Sequence, residues 1–219
     1  VSSAFEQGHS IWYFRAYDYV GVDKETGAPQ FRNAAGEIVG SSELKTTDMT
    51  DIGSAIPRLT YGITLNVAWK GLDLTVFGTG VAGNKIYNLL YRADTPMRNS
   101  LRYYMENAWT PDNHNGSMPD MATVAQDRNF WGSSASMFNG AYFKIKQIQL
   151  GYTLPAKLTR KAYVKNLRFF VSLDDFFTFT KYPGMDPETA TTSSSSGAGY
   201  DIGSYPTMKK VTFGATIGF

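Results

Sequence analysis

"LTYGITLNVAWKGLDLTVFGTG", Leu59 to Gly80, sets Leu59, Tyr61, Ile63, Leu65, Val67 and Trp69 at alternate positions, with Thr60, Gly62, Thr64, Asn66 and Ala68 between them. Alternation of this kind is the period of a β-strand with two unlike faces. Lys70-Gly71 interrupts the run, and Leu72, Leu74 and Val76 resume it against Asp73, Thr75 and Thr79. A two-residue break with Gly between alternating runs marks a tight hairpin. The spacing therefore predicts two antiparallel strands joined by a minimal turn.

Three further stretches carry the same period. In "FKIKQIQLGYTL" (Phe143 to Leu154) the apolar parity changes midway, since Phe143 and Ile145 are followed by Ile148, Leu150, Tyr152 and Leu154. One inserted residue produces such a change, which predicts a β-bulge at Lys146 or Gln147. "LRFFVSLDDFFTF" (Leu167 to Phe179) puts Leu167, Phe169, Val171, Leu173, Phe177 and Phe179 on one side, interrupted by Asp175. "VTFGATIGF" alternates Val211, Phe213, Ala215, Ile217 and Phe219 with Thr or Gly.

Composition narrows the class. Over 219 residues, 15% are aromatic and only 18% charged, a balance that suits strands better than a helical bundle or a disordered chain. The net charge of +2 is too small to argue for nucleic acid or for a polybasic anchor. The absence of cysteine excludes disulfides and thiolate metal sites. No run reaches the ~18 apolar residues of a spanning helix. The opening "VSSAFEQGHS" reads as the interior of a longer chain, so a fragment or processed piece is expected.

The connections are unequal. Lys70-Gly71 and "PAKLTRKAYVKN" (Pro155 to Asn166) are short, whereas residues 83–141 and 181–207 are long. In an up-and-down meander the two short connections share one rim and the two long ones the other. Short turns on one rim and long loops on the other is the layout of an outer-membrane β-barrel. Aromatics agree with two interfacial girdles: Trp69, Tyr152 and Phe219 fall at the short-turn rim, Phe143 with Phe177 or Phe179 towards the opposite one. A soluble β-sandwich whose aromatics fill its core is the alternative, and it would make the chain a ligand-binding module. Five strands cannot close a barrel, because bacterial barrels start at about 8. If lipid faces this sheet, further strands, upstream or in a companion chain, must satisfy its edges.

At this point the residues resemble a family. "IGSAIPRLTYGITLNVAWKGLDLTVFGTGVAGNKIYN" (Ile52 to Asn88), "NGAYFKIKQIQLGYTLPAKLTRK" (Asn139 to Lys161), "LRFFVSLDDFFTFTKYPGMDPE" (Leu167 to Glu188) and "GSYPTMKKVTFGATIGF" (Gly203 to Phe219) are similar, in order, to the end of SusC/RagA-type TonB-dependent transporters of Bacteroidetes outer membranes. "GHSIWYFRAYDYVGVDKETGAPQF" is similar to the segment before that hairpin. Where the family often has Gln-Asn-Leu, this chain has Asp174-Asp175-Phe176, so acidic groups there must face the lumen, a loop or a rim.

The resemblance implies an all-β, antiparallel transmembrane barrel of about 22 strands, of which this chain is the last part. Residues 1–56 would lead into the barrel, and 57–219 would supply its C-terminal strands with extracellular loops at 83–141 and 181–207. The plug and the TonB-contacting part would lie outside this chain. The implied activity is TonB-energised import of oligosaccharides or peptides with a SusD-like lipoprotein as lid, and the implied partners include lipid or lipopolysaccharide. The terminal Phe219 would also be part of the assembly signal.

Catalytic chemistry finds little footing. His9 and His114 have no partner at ligand spacing, and adjacent Asp174 and Asp175 would point to opposite faces of a strand. Gly78-Thr79-Gly80 lacks the strand-to-helix context of a phosphate loop and is expected to let the strand bend. No enzyme activity, metal or cofactor is expected. The basic run Lys157 to Lys165 reads as a solvated periplasmic face, with lipid or partner contact as the alternative. Binding is expected in residues 83–140, which hold Tyr87, Tyr91, Tyr103, Tyr104, Trp109, Phe130, Trp131 and Phe138 and balanced charge. Aromatic rings suit the flat faces of sugars or peptide side chains, which makes Tyr103, Tyr104, Trp109 and Trp131 the candidate substrate- or lid-contacting residues. The competing expectation is that these rings pack the loop's own small core.

Overall fold

The computed structural model describes residues 2–4, 6–90, 102–190 and 198–219. Five strands, β1 (Leu59–Trp69), β2 (Leu72–Ala82), β3 (Tyr142–Thr153), β4 (Asn166–Thr180) and β5 (Lys210–Gly218), form one antiparallel sheet. Their spatial order is their chain order, β1-β2-β3-β4-β5, the simplest meander. The outer edges of β1 and β5 have no neighbouring strand among the described residues.

The β1–β2 turn has positive φ at both central residues, 47° at Lys70 and 89° at Gly71. That is the backbone twist a two-residue hairpin requires. Gly71 is also fixed by crowding: an added Cβ would sit 2.7 Å from the Thr153 carbonyl oxygen, the carbonyl of Gly71 itself accepting from the Thr153 amide at 2.8 Å. Between β3 and β4 the chain makes one helical turn at Ala156–Thr159 and a 3₁₀ turn at Arg160–Ala162.

The bulge lies where the change of parity predicts it. Ile145 pairs with Gly78 and Gln147 with Phe77, leaving Lys146 as the extra residue against β2. Against β4 the partners of Ile145 and Gln147 are Phe177 and Asp174, so Asp175 and Phe176 stand opposite Lys146. Asp175 takes a left-handed φ of 59°. The insertion keeps Phe143 and Ile145 on the same face as Ile148, Leu150 and Tyr152, which a regular strand could not do.

The remaining described residues form a second compact unit, from segments 1–58, 83–140 and 181–205. It holds three small sheets, one of which joins Met137–Asn139 to Lys85–Asn88 and, in parallel, Lys85–Asn88 to Tyr200–Asp201. Its core gathers Phe31, Ile86, Tyr104, Val124, Phe130, Trp131, Phe138 and Tyr182. The entry segment and the two long loops, which composition separates, are therefore one packed body.

Candidate functional site

The sheet is two-faced. Register aligns Trp69, Leu72, Tyr152, Phe169 and Ala215 across all five strands, then Val67, Leu74, Leu150, Val171 and Phe213, then Leu65, Val76, Ile148, Leu173 and Val211. Past the bulge follow Ile63, Gly78, Ile145 and Phe177, then Tyr61, Gly80, Phe143 and Phe179. Every side chain in these rows is apolar, tyrosine or glycine. Among the described residues no second layer covers this face: Trp69 is 64% exposed, Ile63 58% and, in the Leu167 row, Ile217 54%. A soluble sandwich would seal those three side chains, so the observed exposure runs against that alternative.

Aromatic residues concentrate at the two ends. Tyr61 stacks parallel on Phe143 at 5.9 Å between centroids, and Phe143 on Phe179 at 6.5 Å. Gly78 and Gly80 lie beneath these rings, since a Cβ at Gly80 would meet Tyr61 Cζ at 2.4 Å and one at Gly78 would meet Phe143 Cζ at 2.6 Å. Both glycines of this Gly-Thr-Gly are the floor under aromatic rings, and neither has positive φ. At the other end Trp69 and Tyr152 occupy one row, with Lys70 Nζ 4.8 Å above the Trp69 ring. Phe219 follows Gly218, the partner of Asn166, at that same end.

The opposite face is built for hydrogen bonds. Asp73 on β2 and Arg168 on β4 pair across Gly151 of β3, Nε to Oδ1 at 2.9 Å. The bare backbone of Gly151 lets the pair close over it, since a Cβ there would meet the Arg168 guanidinium and the Asp73 carboxylate. Thr75 donates to Asn66 at 2.9 Å and Ser172 to Asp174 at 2.7 Å, and Lys146 pairs with Asp175 at 3.1 Å. Asp174 thus faces the polar side and Asp175 is neutralised within the bulge. Phe77 and Phe170 also lie on this face, as their positions in the alternation require. Phe170 covers Gly214 and receives the Arg168 guanidinium at 5.2 Å, so its ring is spent on local packing.

In the second unit the four candidate aromatics separate. Tyr104 is 0% exposed and Trp131 3%, packed edge to face at 5.3 Å. The Trp131 indole donates to the Val124 carbonyl at 2.9 Å, while its own carbonyl accepts from the Tyr87 hydroxyl at 2.6 Å. These two rings have no surface to offer a ligand in this unit. Tyr103 and Trp109 keep part of theirs. Tyr103 rests edge-on against Phe138 at 5.2 Å. Trp109 lies over Gly27, donates to the Lys24 carbonyl at 3.0 Å and stacks on His114 at 5.0 Å. Tyr91 lies outside the described residues. His9 hydrogen-bonds Asp51 at 2.8 Å. Among the described residues no group of three or more His, Cys, Asp or Glu could hold a metal ion.

A cleft of about 480 Å³ that sequence reading missed sets the polar side chains of Ser41, Ser42, Asp127 and Asn129 beside the apolar Pro29 and Val124. Its residues come from separate segments, so no local pattern announces it. Asp127 organises the wall, accepting from Ser41 Oγ at 2.8 Å and from the amides of Asn129 and Phe130.

Burial also fixes protonation in this unit. Tyr182 has its phenol pushed well above the usual range, first by burial and then by its hydrogen bond to Asp201. Burial raises Tyr19 and Tyr103 as well. A group raised on folding adds stability that is complete below its unfolded value, about 10 for tyrosine, and is lost as pH climbs beyond it. Alkaline titration followed at the phenolate absorbance should show these rings ionising only with the cooperative unfolding of the unit. Smooth titration of every tyrosine near pH ~10, with no unfolding step, would contradict their burial.

No protein-family model matches the chain. It is similar to TonB-dependent receptor P3 of Formosa agariphila, with 30% identity over 97% of this chain and 22% of the receptor. TonB-dependent receptor P26 of the same organism is 26% identical over 82% of this chain and 19% of its own length. Among solved structures, a chain of the RagAB peptide transporter matches with a TM-score of 0.75 and 26% identity, covering 94% of this chain and 23% of that one. A chain of the RagAB peptide importer in its open-open state superimposes with a TM-score of 0.74 at 23% identity, which shows the fold alone. The chain spans less than a quarter of each of these relatives.

Proposed function

We propose that this chain, similar over nearly its whole length to TonB-dependent receptor P3 and to a chain of the RagAB peptide transporter, supplies five strands and two long loops of an outer-membrane importer of the SusC/RagA type. The importer is TonB-energised, takes oligosaccharides or peptides, and works with a SusD-like surface lipoprotein. The observation that carries this reading is the single sheet whose uncovered apolar face is backed by a hydrogen-bonding one. In lipid, such a sheet needs its two outer edges paired, so the remaining strands and a plug are its partners. Trp69, Tyr152 and Phe219 serve as the girdle at the short-turn rim. The role is transport, without catalysis or cofactor.

The second unit is extracellular in this reading, because it is made of the long loops. Tyr103 and Trp109 are its contacts to cargo or lid. The test uses the full-length receptor with its lipoprotein. Tyr103→Ala with Trp109→Ala should lower uptake of an oligopeptide or oligosaccharide mixture several-fold while heat-modifiable migration of the folded barrel is kept. Tyr104→Ala or Trp131→Ala should instead cost about 3–5 kcal/mol of loop-unit stability, as core truncations do. Wild-type uptake and lid retention by the Tyr103/Trp109 double variant would remove these two residues from the site. Loss of heat-modifiability in the unaltered receptor would remove the barrel reading altogether.

A further inference from the structure

The β3–β4 connection carries Lys157, Arg160, Lys161 and Lys165 with no acidic residue between Leu154 and Asn166. All four cations are exposed. Two apolar side chains in the same connection are exposed as well, Leu158 and Tyr163, the latter at 92%. Tyr163 takes a left-handed φ of 57°, its amide donating to the Arg160 carbonyl at 3.2 Å. A non-glycine residue in that region carries strain, and here the strained residue is one whose ring is left outside any core. The connection is anchored from below, Val164 N to Thr159 O at 3.2 Å and Lys165 N to Gly218 O at 2.9 Å, so its shape is defined.

The strands on either side of this connection wall an apolar groove of about 290 Å³. Leu72, Leu150, Tyr152, Phe169, Val171 and Phe213 line it, on the uncovered face of the sheet. Tyr152 lies three residues before Pro155 and Phe169 three after Asn166, so the groove opens at the end of the sheet where the cations are. Asp73, beside Leu72 on the neighbouring strand β2, is already paired with Arg168.

We propose that this end of the sheet is a binding site for an anionic glycerophospholipid of the periplasmic leaflet. One acyl chain lies in the groove between Tyr152 and Phe169, and the phosphate is held by Lys157, Arg160, Lys161 and Lys165. Clustered Lys and Arg beside an apolar segment are what anionic headgroups recognise, and Leu158 and Tyr163 enter the interfacial zone, where rings with one apolar and one polar end are favoured. The proposal rests on the membrane reading above and deepens it.

The test is native mass spectrometry of the full-length receptor, delipidated in detergent and offered phosphatidylglycerol, phosphatidylcholine or lipopolysaccharide. Phosphatidylglycerol should be retained over phosphatidylcholine, and a variant combining K157Q, R160Q, K161Q and K165Q should lose that preference about tenfold. A variant combining K157R, K161R and K165R should keep it. Both variants should retain wild-type heat-modifiable migration. Equal retention of the two phospholipids by the unaltered protein, preference for lipopolysaccharide, or an unchanged preference in the glutamine variant each overturns the site while leaving the barrel standing. Absence of heat-modifiability in the unaltered protein overturns the membrane reading itself.

Discussion

Leu65→Arg is expected to collapse the membrane-inserted yield of the receptor, while Asn66→Arg, one residue away, leaves it close to wild type. Leu65 stands midway along β1, in the row shared with Val76, Ile148, Leu173 and Val211. An arginine there meets acyl chains on the uncovered face, at a cost of about 2–4 kcal/mol near the bilayer midplane. Asn66 points the other way and accepts a hydrogen bond from Thr75 at 2.9 Å. Replacing it sacrifices one such bond, about 1 kcal/mol, and places the new charge on the polar face. Comparing folded, membrane-extracted protein from the two variants decides the matter. Equal yields would mean that the faces have been assigned the wrong way or that neither meets lipid.

Deleting Lys146 should be at least as damaging, although the residue is polar. The bulge is the only device that keeps Phe143 and Ile145 in phase with Ile148, Leu150 and Tyr152. Without it, one side of β3 must slip by a residue, and a slip of one turns each side chain to the other face. Lys144, now buried on the polar face, would exchange with Phe143 and bring a cation onto the apolar one. Phe143 would leave its stack between Tyr61 and Phe179. Lys146→Gln keeps the extra residue and gives up the 3.1 Å ion pair with Asp175, an effect of about 1 kcal/mol. The deletion should therefore abolish heat-modifiable protein where the glutamine variant retains it. Similar yields from the two would show that pairing with Asp175, not the inserted residue, is what β3 needs.

Both predictions use information present in the order of residues. The parity change at Lys146 is visible in "FKIKQIQLGYTL" because strand geometry is local: each residue's face follows from its neighbour's. The same holds for the Lys70-Gly71 hairpin and for the aromatic ends of the strands. The packing role of the β2 glycines is hidden for the complementary reason. What fixes Gly78 and Gly80 is the rings of Phe143 and Tyr61 on adjacent strands, and nothing within "GTG" states that register.

Residues 83–140 show the limit most clearly. Tyr103 and Tyr104 are neighbours, and so are Phe130 and Trp131, yet Tyr104 and Trp131 are sealed while Tyr103 keeps surface. Their fates depend on Tyr87, Val124, Phe138 and Tyr182, which arrive from different segments. The same is true of the Asn88–Tyr182–Asp201 hydrogen bonds and of the cleft around Asp127.

The sequence alone determined the two-faced sheet, its turns and its bulge, since a strand's periodicity is set by backbone geometry from one residue to the next. Only the tertiary structure decided which loop aromatics became core, which glycines became floors and which charges found partners. Those outcomes are contacts between residues distant along the chain, and no local period encodes them.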